Sequence, residues 1–122
     1  MIAITLPWPP KSLSPNSRKH WAVKAKDAKH ARQVAAWSVR EVGIRPGDFD
    51  IPGKLKVTWI FQEPDKRRRD DDNLISSVKA FRDGVADALG IDDARFETTI
   101  RRGPPVKGGL VRIEFKRRLA IR

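Results

Sequence analysis

Three consecutive aspartates, Asp70 to Asp72, directly follow a run of four cations in the segment PDKRRRDDDNL. Alternate side chains of an extended chain point the same way, so Asp70 and Asp72 can converge while Asp71 points elsewhere. Two carboxylates and several waters are the ligands that Mg²⁺ usually accepts from a protein. One aspartate here could equally cap a helix, which stabilises it by about 1 kcal/mol. The spacing alone allows both metal binding and capping.

Further polar residues follow the aspartates at helical spacing. Asp72, Ser76, Lys79 and Asp83 recur at intervals of four, three and four, which predicts one strip along a helix. An ammonium group at Lys79 could stabilise the charge that develops on a phosphate oxygen. The alternative is an ordinary solvated lysine. The pair Asp92-Asp93 comes next in the chain, and aspartates are also common in turns.

The chain has a large excess of positive charge. Its 122 residues carry a formal net charge of +11, which predicts a polyanionic partner, with nucleic acid as the first candidate. Ribosomal and architectural DNA-binding proteins share this balance, so the charge identifies a partner and no activity. The residues that we expect to contact DNA are Asn16, Lys24, Lys26, Lys29, Arg32, Arg67, Arg68, Arg69, Arg101, Arg102 and Lys107.

Four segments alternate apolar and polar residues with the period of a half-buried strand. They centre on residues 2–6, 55–61, 96–100 and 111–115. The prolines and paired glycines of RGPPVKGG predict a hairpin loop between the last two strands.

Two stretches have helical periodicity instead. The first runs from about residue 18 to 42 and ends before Gly43; its predicted inward stripe is Trp21, Ala25, Ala28, Ala35, Val39 and Val42. The second runs from about residue 73 to 89 and ends before Gly90; its predicted inward residues are Leu74, Val78, Phe81, Val85 and Leu89. The order βαβαββ predicts a two-layer α+β fold, in which a four-stranded mixed sheet carries two helices on one face.

The chain length favours one domain, residues 1–116, followed by a basic tail at 117–122. No apolar run approaches the ~20 residues of a membrane span, so we expect no membrane partner. The N-terminus does not have the pattern of a signal peptide, and the chain contains no cysteine. These features predict a cytoplasmic protein.

The segments LPWPP, PDKRRRDDDNL and LGIDD, in this order, resemble the RusA family of Holliday-junction resolvases. The resemblance extends from about residue 5 to 115. It implies a homodimer that requires Mg²⁺, with Mn²⁺ as a substitute. Such an enzyme makes paired symmetric nicks in four-way DNA junctions, through attack of a metal-activated water on the phosphodiester.

Carried over by position, the resemblance makes Asp70, Asp72 and Asp93 the metal carboxylates, with Asp92 as a supporting neighbour. The linking segment differs slightly in length from the family pattern, so either Asp92 or Asp93 could be the third ligand. Where the family usually has a lysine, this chain has Ser76. Lys79, one turn further, is the expected replacement.

The predicted second helix separates these carboxylates. An unbroken helix over residues 73–89 would be roughly 25 Å long, at ~1.5 Å per residue. We therefore expect a homodimer with antiparallel second helices, in which the two subunits share each metal site. A sharp bend at Gly84 would be the other solution. The competing function is a non-catalytic basic protein that binds nucleic acid.

Overall fold

The structure, a computed structural model, describes residues 2–49, 53–67 and 69–115. Within these residues it is an α+β fold with a four-stranded mixed sheet and three α-helices. The strands are β1 (Ile2–Pro7), β2 (Leu55–Gln62), β3 (Phe96–Arg102) and β4 (Leu110–Phe115). The helices are α1 (Trp21–Glu41), α2 (Asp71–Ser77) and α3 (Lys79–Leu89), with short 3₁₀ turns at Lys11–Leu13 and Asp93–Arg95. The proposed tail at 117–122 lies outside the described residues.

The sheet has the strand order β1-β4-β2-β3. β4 pairs antiparallel with both β1 and β2, whereas β2 and β3 are parallel. Each predicted strand is confirmed, because the alternating apolar residues place one side of the sheet in the core. The core side chains of β1, β2 and β4 are Ile4, Leu6, Leu55, Val57, Trp59, Phe61, Val111, Ile113 and Phe115. No helix in the described part of the chain is both long and apolar enough to span a membrane.

The predicted hairpin between β3 and β4 is wrong, because β2 lies between these two strands. The connecting segment instead crosses the end of β2. There the N–H of Gly103 donates to the carbonyl of Phe61, and that of Val106 to the carbonyl of Glu63, both at 3.0 Å. Proline and glycine correctly predicted a loop, but they do not determine which strands pair. The positions of the strands follow from burial instead. β4 is apolar enough for the interior of the sheet, whereas Thr98 on β3 is exposed, as is usual in an edge strand.

The first predicted helix is confirmed as α1, and Gly43 follows it with a φ of +85°. Its predicted inward stripe is correct at two of six positions, and a third, Ala28, is half-buried. Ala35 and Val39 are fully buried, but Trp21 is 75% exposed and Val42 is 50% exposed. Ala25 is exposed too. The buried residues of α1 begin at Ala31, so the first turns of this helix extend beyond the core.

The single helix predicted over residues 73–89 is wrong, because it is divided at Val78 into α2 and α3. The hydroxyl of Ser77 donates to the carbonyl of Leu74 at 2.8 Å, which is the acceptor that Val78 would use in a regular α-helix. The N–H of Val78 bonds to the carbonyl of Ile75 instead. The alternative of a bend at Gly84 is also wrong, since Gly84 lies inside α3. The five residues predicted to face inward are nevertheless all buried.

At Gly84 the backbone of α3 lies close to that of α1. A Cβ atom at this position would lie 2.1 Å from the backbone oxygen of Arg32 and 3.0 Å from the Cβ of Ala35. Beside this contact Arg32 forms two hydrogen bonds to Asp87, at 2.6 and 2.8 Å. The hydrogen bond from Arg32 lowers the pKa of Asp87. The two helices therefore cover the sheet as one layer.

The Gly84→Ala variant tests this close approach. Alanine is better than glycine by about 1 kcal/mol inside an isolated helix, so propensity alone would make the variant more stable. We expect the overlap with Arg32 to outweigh that gain and to lower the free energy of unfolding by about 1–3 kcal/mol, measured by urea denaturation.

Gly103→Ala is the matched control. Its new Cβ would meet the flexible side chain of Gln62 at 3.1 Å, and we expect its stability to change by less than about 0.5 kcal/mol. A Gly84→Ala protein as stable as the wild type would show that α1 and α3 are further apart than the Gly84–Arg32 contact implies.

Candidate functional site

The aspartate run lies where the ends of β2 and β3 meet the start of α2. The two strands are parallel, with Phe61 paired to Arg102, so their carboxyl ends lie at one edge of the sheet. An open cleft of about 530 Å³ lies at this edge. Its lining residues are Arg69, Asp70, Asp71, Asp72, Asn73 and Arg102.

Glu63, the residue after β2, links two arginines of this cleft. Its two carboxylate oxygens each accept a bond of 3.0 Å, one from Nη1 of Arg69 and one from Nη1 of Arg102. The Glu63 side chain is only 12% exposed, and ionic hydrogen bonds in such surroundings are strong. Arg102 also donates to the carbonyl of Arg69 and, at 2.6 Å, to the carboxylate of Asp71. These bonds join the end of β3 to the first residues of α2.

Arg69 is fixed from other directions as well. It lies 3.0 Å from the carboxylate of Asp65, and its guanidinium stands 5.6 Å from the ring centre of Trp8. Trp8 in turn packs edge-on against Phe61. The hydrogen bond from Arg69 lowers the pKa of Asp65, to which the backbone N–H of Arg67 also donates. Arg69 is thus a structural residue of the site, and its predicted contact with DNA stays a prediction.

The three aspartates differ in their surroundings. The predicted alternation along an extended chain is wrong, because α2 begins at Asp71 and only Asp70, its N-cap residue, is extended. Asp70 makes no side-chain capping bond, so the capping hypothesis is not supported for it. Asp71 pairs with Arg102, whereas Asp70 and Asp72 are exposed and have no bonding partner among the described residues.

Asp92 and Asp93 follow the far end of α3. The carboxylate of Asp92 accepts the N–H of Ala94 at 2.8 Å, which confirms the turn interpretation for this residue. The Asp93 carboxylate lies 3.8 Å from Nε of Arg82, and Nη2 of the same arginine donates to the Asp93 carbonyl at 3.0 Å. Across the described ranges, no three carboxylate or imidazole side chains are grouped closely enough to hold a metal ion. Asp93 is also absent from the lining of the cleft at Asp70 and Asp72.

The predicted strip beside the aspartates is interrupted. Ser76 remains one turn after Asp72 within α2, but Lys79 is the first residue of α3, beyond the break at Val78. Lys79 is exposed and is absent from the lining of the cleft. Its predicted role as the replacement for the family lysine stays a prediction.

The other predicted DNA contacts fall into two groups. Two are engaged within the protein: Lys24 donates to the carbonyl of Ser17 at 2.8 Å, and Arg32 pairs with Asp87. The remaining described side chains are exposed, with no ion pair to another described residue: Asn16, Lys26, Lys29, Arg67, Arg101 and Lys107. Arg68 lies outside the described residues.

Glu63 is the residue of the site that the sequence reasoning missed. A signal for it existed, because the alternation of Leu55, Val57, Trp59 and Phe61 places position 63 on the same buried side of the chain. A carboxylate on that side needs a cationic partner. The sequence could therefore have predicted that Glu63 pairs with one of the arginines at 67–69.

Comparison with known proteins identifies a relative but no function. No family model matches the chain. Over 96 residues, which are 79% of this chain, it is 45% identical to an uncharacterized protein of Xylella fastidiosa (strain Temecula1). The match spans 63% of that protein, less than two thirds of its length. Since the name of the relative states no activity, the function has to be argued from the site.

The Glu63→Gln variant tests the ion pairs that hold the cleft. The amide keeps the shape of the side chain but loses the charge that binds two arginines. We expect a loss of about 1–3 kcal/mol in the free energy of unfolding, because hydrogen bonds to charged groups contribute this much. We also expect faster amide hydrogen exchange at residues 69–73.

Glu97→Gln is the control, since Glu97 is an exposed residue of the edge strand β3. Its stability should change by less than about 0.5 kcal/mol. Equal urea midpoints for the two variants would show that the Glu63 ion pairs do not stabilise the protein.

Proposed function

We propose that this protein is a Mg²⁺-dependent endonuclease that cuts branched DNA, a Holliday-junction resolvase of the RusA type that makes paired symmetric nicks. One observation carries the proposal. Asp70 and Asp72 line an open cleft without a bonding partner among the described residues, while Asp71 between them is paired with Arg102. The protein carries a net charge of +11, yet neither carboxylate has a cationic partner in the part of the chain that the structure describes.

The chemistry of these donors fits Mg²⁺. This ion is usually held by one or two carboxylates and keeps several waters, and Asp70 and Asp72 offer two carboxylates at an open cleft. When bound, Mg²⁺ would lower the pKa of a coordinated water and offset negative charge on the phosphate. Mn²⁺ accepts the same oxygen ligands and would substitute.

Exposed cations around the cleft would bind the DNA backbone. Arg101 adjoins Arg102 on β3, Arg67 precedes the aspartates, and Lys107 belongs to the loop that bonds back to Glu63. Lys26 and Lys29 extend the positive surface along α1. Each phosphate neutralised by such a contact makes binding more sensitive to salt, with a slope of about −0.9 in a log–log plot.

A third carboxylate would come from a second subunit. Asp93 pairs with Arg82 and does not line the cleft that Asp70 and Asp72 form in their own protomer. A two-fold dimer with antiparallel α2–α3 segments would bring Asp93 of the partner subunit to Asp70 and Asp72. The homodimer is part of the proposal and explains why one chain holds an incomplete ligand set.

A non-catalytic nucleic-acid-binding protein is the second candidate. In its favour, the described residues contain no group of three metal-binding side chains, and Asp92 has a plain capping role. Strand nicking of a synthetic four-way DNA junction, with Mg²⁺ and with EDTA, distinguishes the two functions. Nicking that requires Mg²⁺ supports the endonuclease, whereas binding without nicking supports the second candidate.

The Asp72→Asn variant should bind junctions as well as the wild type, or more tightly, and should not cut them. The substitution removes a metal ligand and a negative charge but leaves the basic surface that supplies affinity. Gel-shift titration in EDTA measures binding, and nicking of labelled junctions with Mg²⁺ measures cleavage.

Asp71→Asn is the matched control for this variant. Asp71 is paired with Arg102, so its loss should lower the unfolding temperature and leave measurable cleavage. Wild-type turnover by the purified Asp72→Asn protein would exclude Asp72 from the mechanism.

The shared site is tested by mixing Asp72→Asn with Asp93→Asn protein and allowing the subunits to exchange. If each metal site takes ligands from both chains, the heterodimer has one intact site and nicks one strand of the junction. Subunit exchange is checked with protomers that carry different tags. A mixture that exchanges and stays inactive would rule out sites shared in this way.

A further inference from the structure

Trp21, the first residue of α1, is the most exposed large apolar side chain in the described part of the protein, at 75%. Isolated apolar side chains on a surface are common and carry no meaning by themselves. Two further observations distinguish Trp21. They are the way in which its ring is held and the charge of the chain around it.

The start of α1, which carries Trp21, is held by several contacts. The preceding residue, His20, caps α1 by accepting the N–H of Ala22 at its Nδ1, and its ring packs against the indole with centres 5.4 Å apart. Lys24 ties the helix to the carbonyl of Ser17 at 2.8 Å. Asp27 accepts a bond of 2.5 Å from the hydroxyl of Ser12, which anchors the 3₁₀ turn to the same helix. The backbone that carries the ring is thus held in place before a ligand binds, which lowers the entropic cost of binding.

The sequence on both sides of Trp21 is basic. No acidic residue precedes Asp27 in the sequence. The cations of this segment are Lys11, Arg18, Lys19, Lys24 and Lys26. A second copy of the chain placed against this surface would bring two sets of cations together, and they would repel each other. The surface instead suits an anion with a flat apolar part.

An exposed aromatic ring among cations is how proteins bind the unstacked bases of nucleic acids, since the ring stacks on a base while the cations contact the neighbouring phosphates. We propose that Trp21 stacks on an unpaired base of branched DNA and that Arg18, Lys19 and Lys26 contact the flanking phosphates. The choice of branched DNA as the ligand rests on the proposed function. The stacking requires no metal and is measured without one.

The experiment measures binding in EDTA by fluorescence anisotropy, with a labelled four-way junction that carries unpaired thymines at the branch and with a fully paired duplex. Trp21→Ala should bind the junction about ten- to a hundredfold more weakly, the range for loss of one stacked base. Trp21→Phe, which keeps a stacking ring, should stay within about threefold of the wild type. Both variants should keep the wild-type unfolding temperature, since Trp21 is outside the core.

Trp37→Phe is the control, because Trp37 is also exposed, at 62%, but donates its Nε1–H to Glu41 at 2.6 Å and has acidic Glu41 beside it. Its junction affinity should equal that of the wild type. A second readout follows tryptophan emission: the quenching caused by the junction should persist in Trp37→Phe and be lost in Trp21→Phe.

Wild-type affinity of Trp21→Ala for the junction would overturn the inference and leave the proposed nuclease intact. An equal loss on junction and duplex would also overturn it, since it would assign Trp21 to general binding. A wild-type protein that binds junctions through Trp21 but never nicks them would support the inference and refute the nuclease. Failure of the wild type to bind any DNA would refute both.

Discussion

The candidate site depends on the pairing of one charge, the Glu63 carboxylate, whose side chain is only 12% exposed. Glu63 extends the inward-facing side of β2, and a carboxylate in that position would be strongly destabilising without cationic partners. Arg69 and Arg102 meet this need, and Arg102 then engages Asp71. The start of α2 is thereby fixed against the ends of the two parallel strands. Asp70 and Asp72, on either side of Asp71, have no bonding partner within residues 2–49, 53–67 and 69–115. On this account Arg69 and Arg102 serve first to build the cleft, and the more exposed cations around it are those that would bind DNA.

Much of the fold could be predicted from the sequence, because the burial of alternate side chains determines strands such as β2 and β4 almost alone. The inward residues of α2 and α3 were predictable because apolar residues recur there with helical spacing. Strand order was not, since RGPPVKGG indicates a loop without naming its partners, and the central place of β4 follows from packing of the whole sheet. The break at Val78 was missed because it depends on a single competing hydrogen bond, from the Ser77 hydroxyl to Leu74.

The residue types of the site could be predicted from the sequence, but much of their arrangement in space could not. The run of aspartates was found from composition, but which of the three is neutralised depends on the contact of Asp71 with Arg102, which is 31 positions away in the chain. Helix length predicted that Asp93 would lie apart from Asp70 and Asp72. The predicted helix is divided, and Asp93 does not line their cleft. An endonuclease that completes its metal site across a dimer is consistent with this separation. A nucleic-acid-binding protein without catalysis would need no third carboxylate, so the metal is the decisive question.

Paramagnetic broadening of amide signals by Mn²⁺ tests the central claim most directly. In a two-dimensional NMR spectrum of the ¹⁵N-labelled protein, low concentrations of Mn²⁺ should first broaden the amides of residues 69–73 and of Arg102. Signals of residues 92–94 should broaden with them if a partner subunit completes the site. The Asp72→Asn variant should lose this selective effect. Broadening near Asp70 and Asp72 no stronger than near the surface carboxylate of Asp48 would contradict a metal site in this cleft.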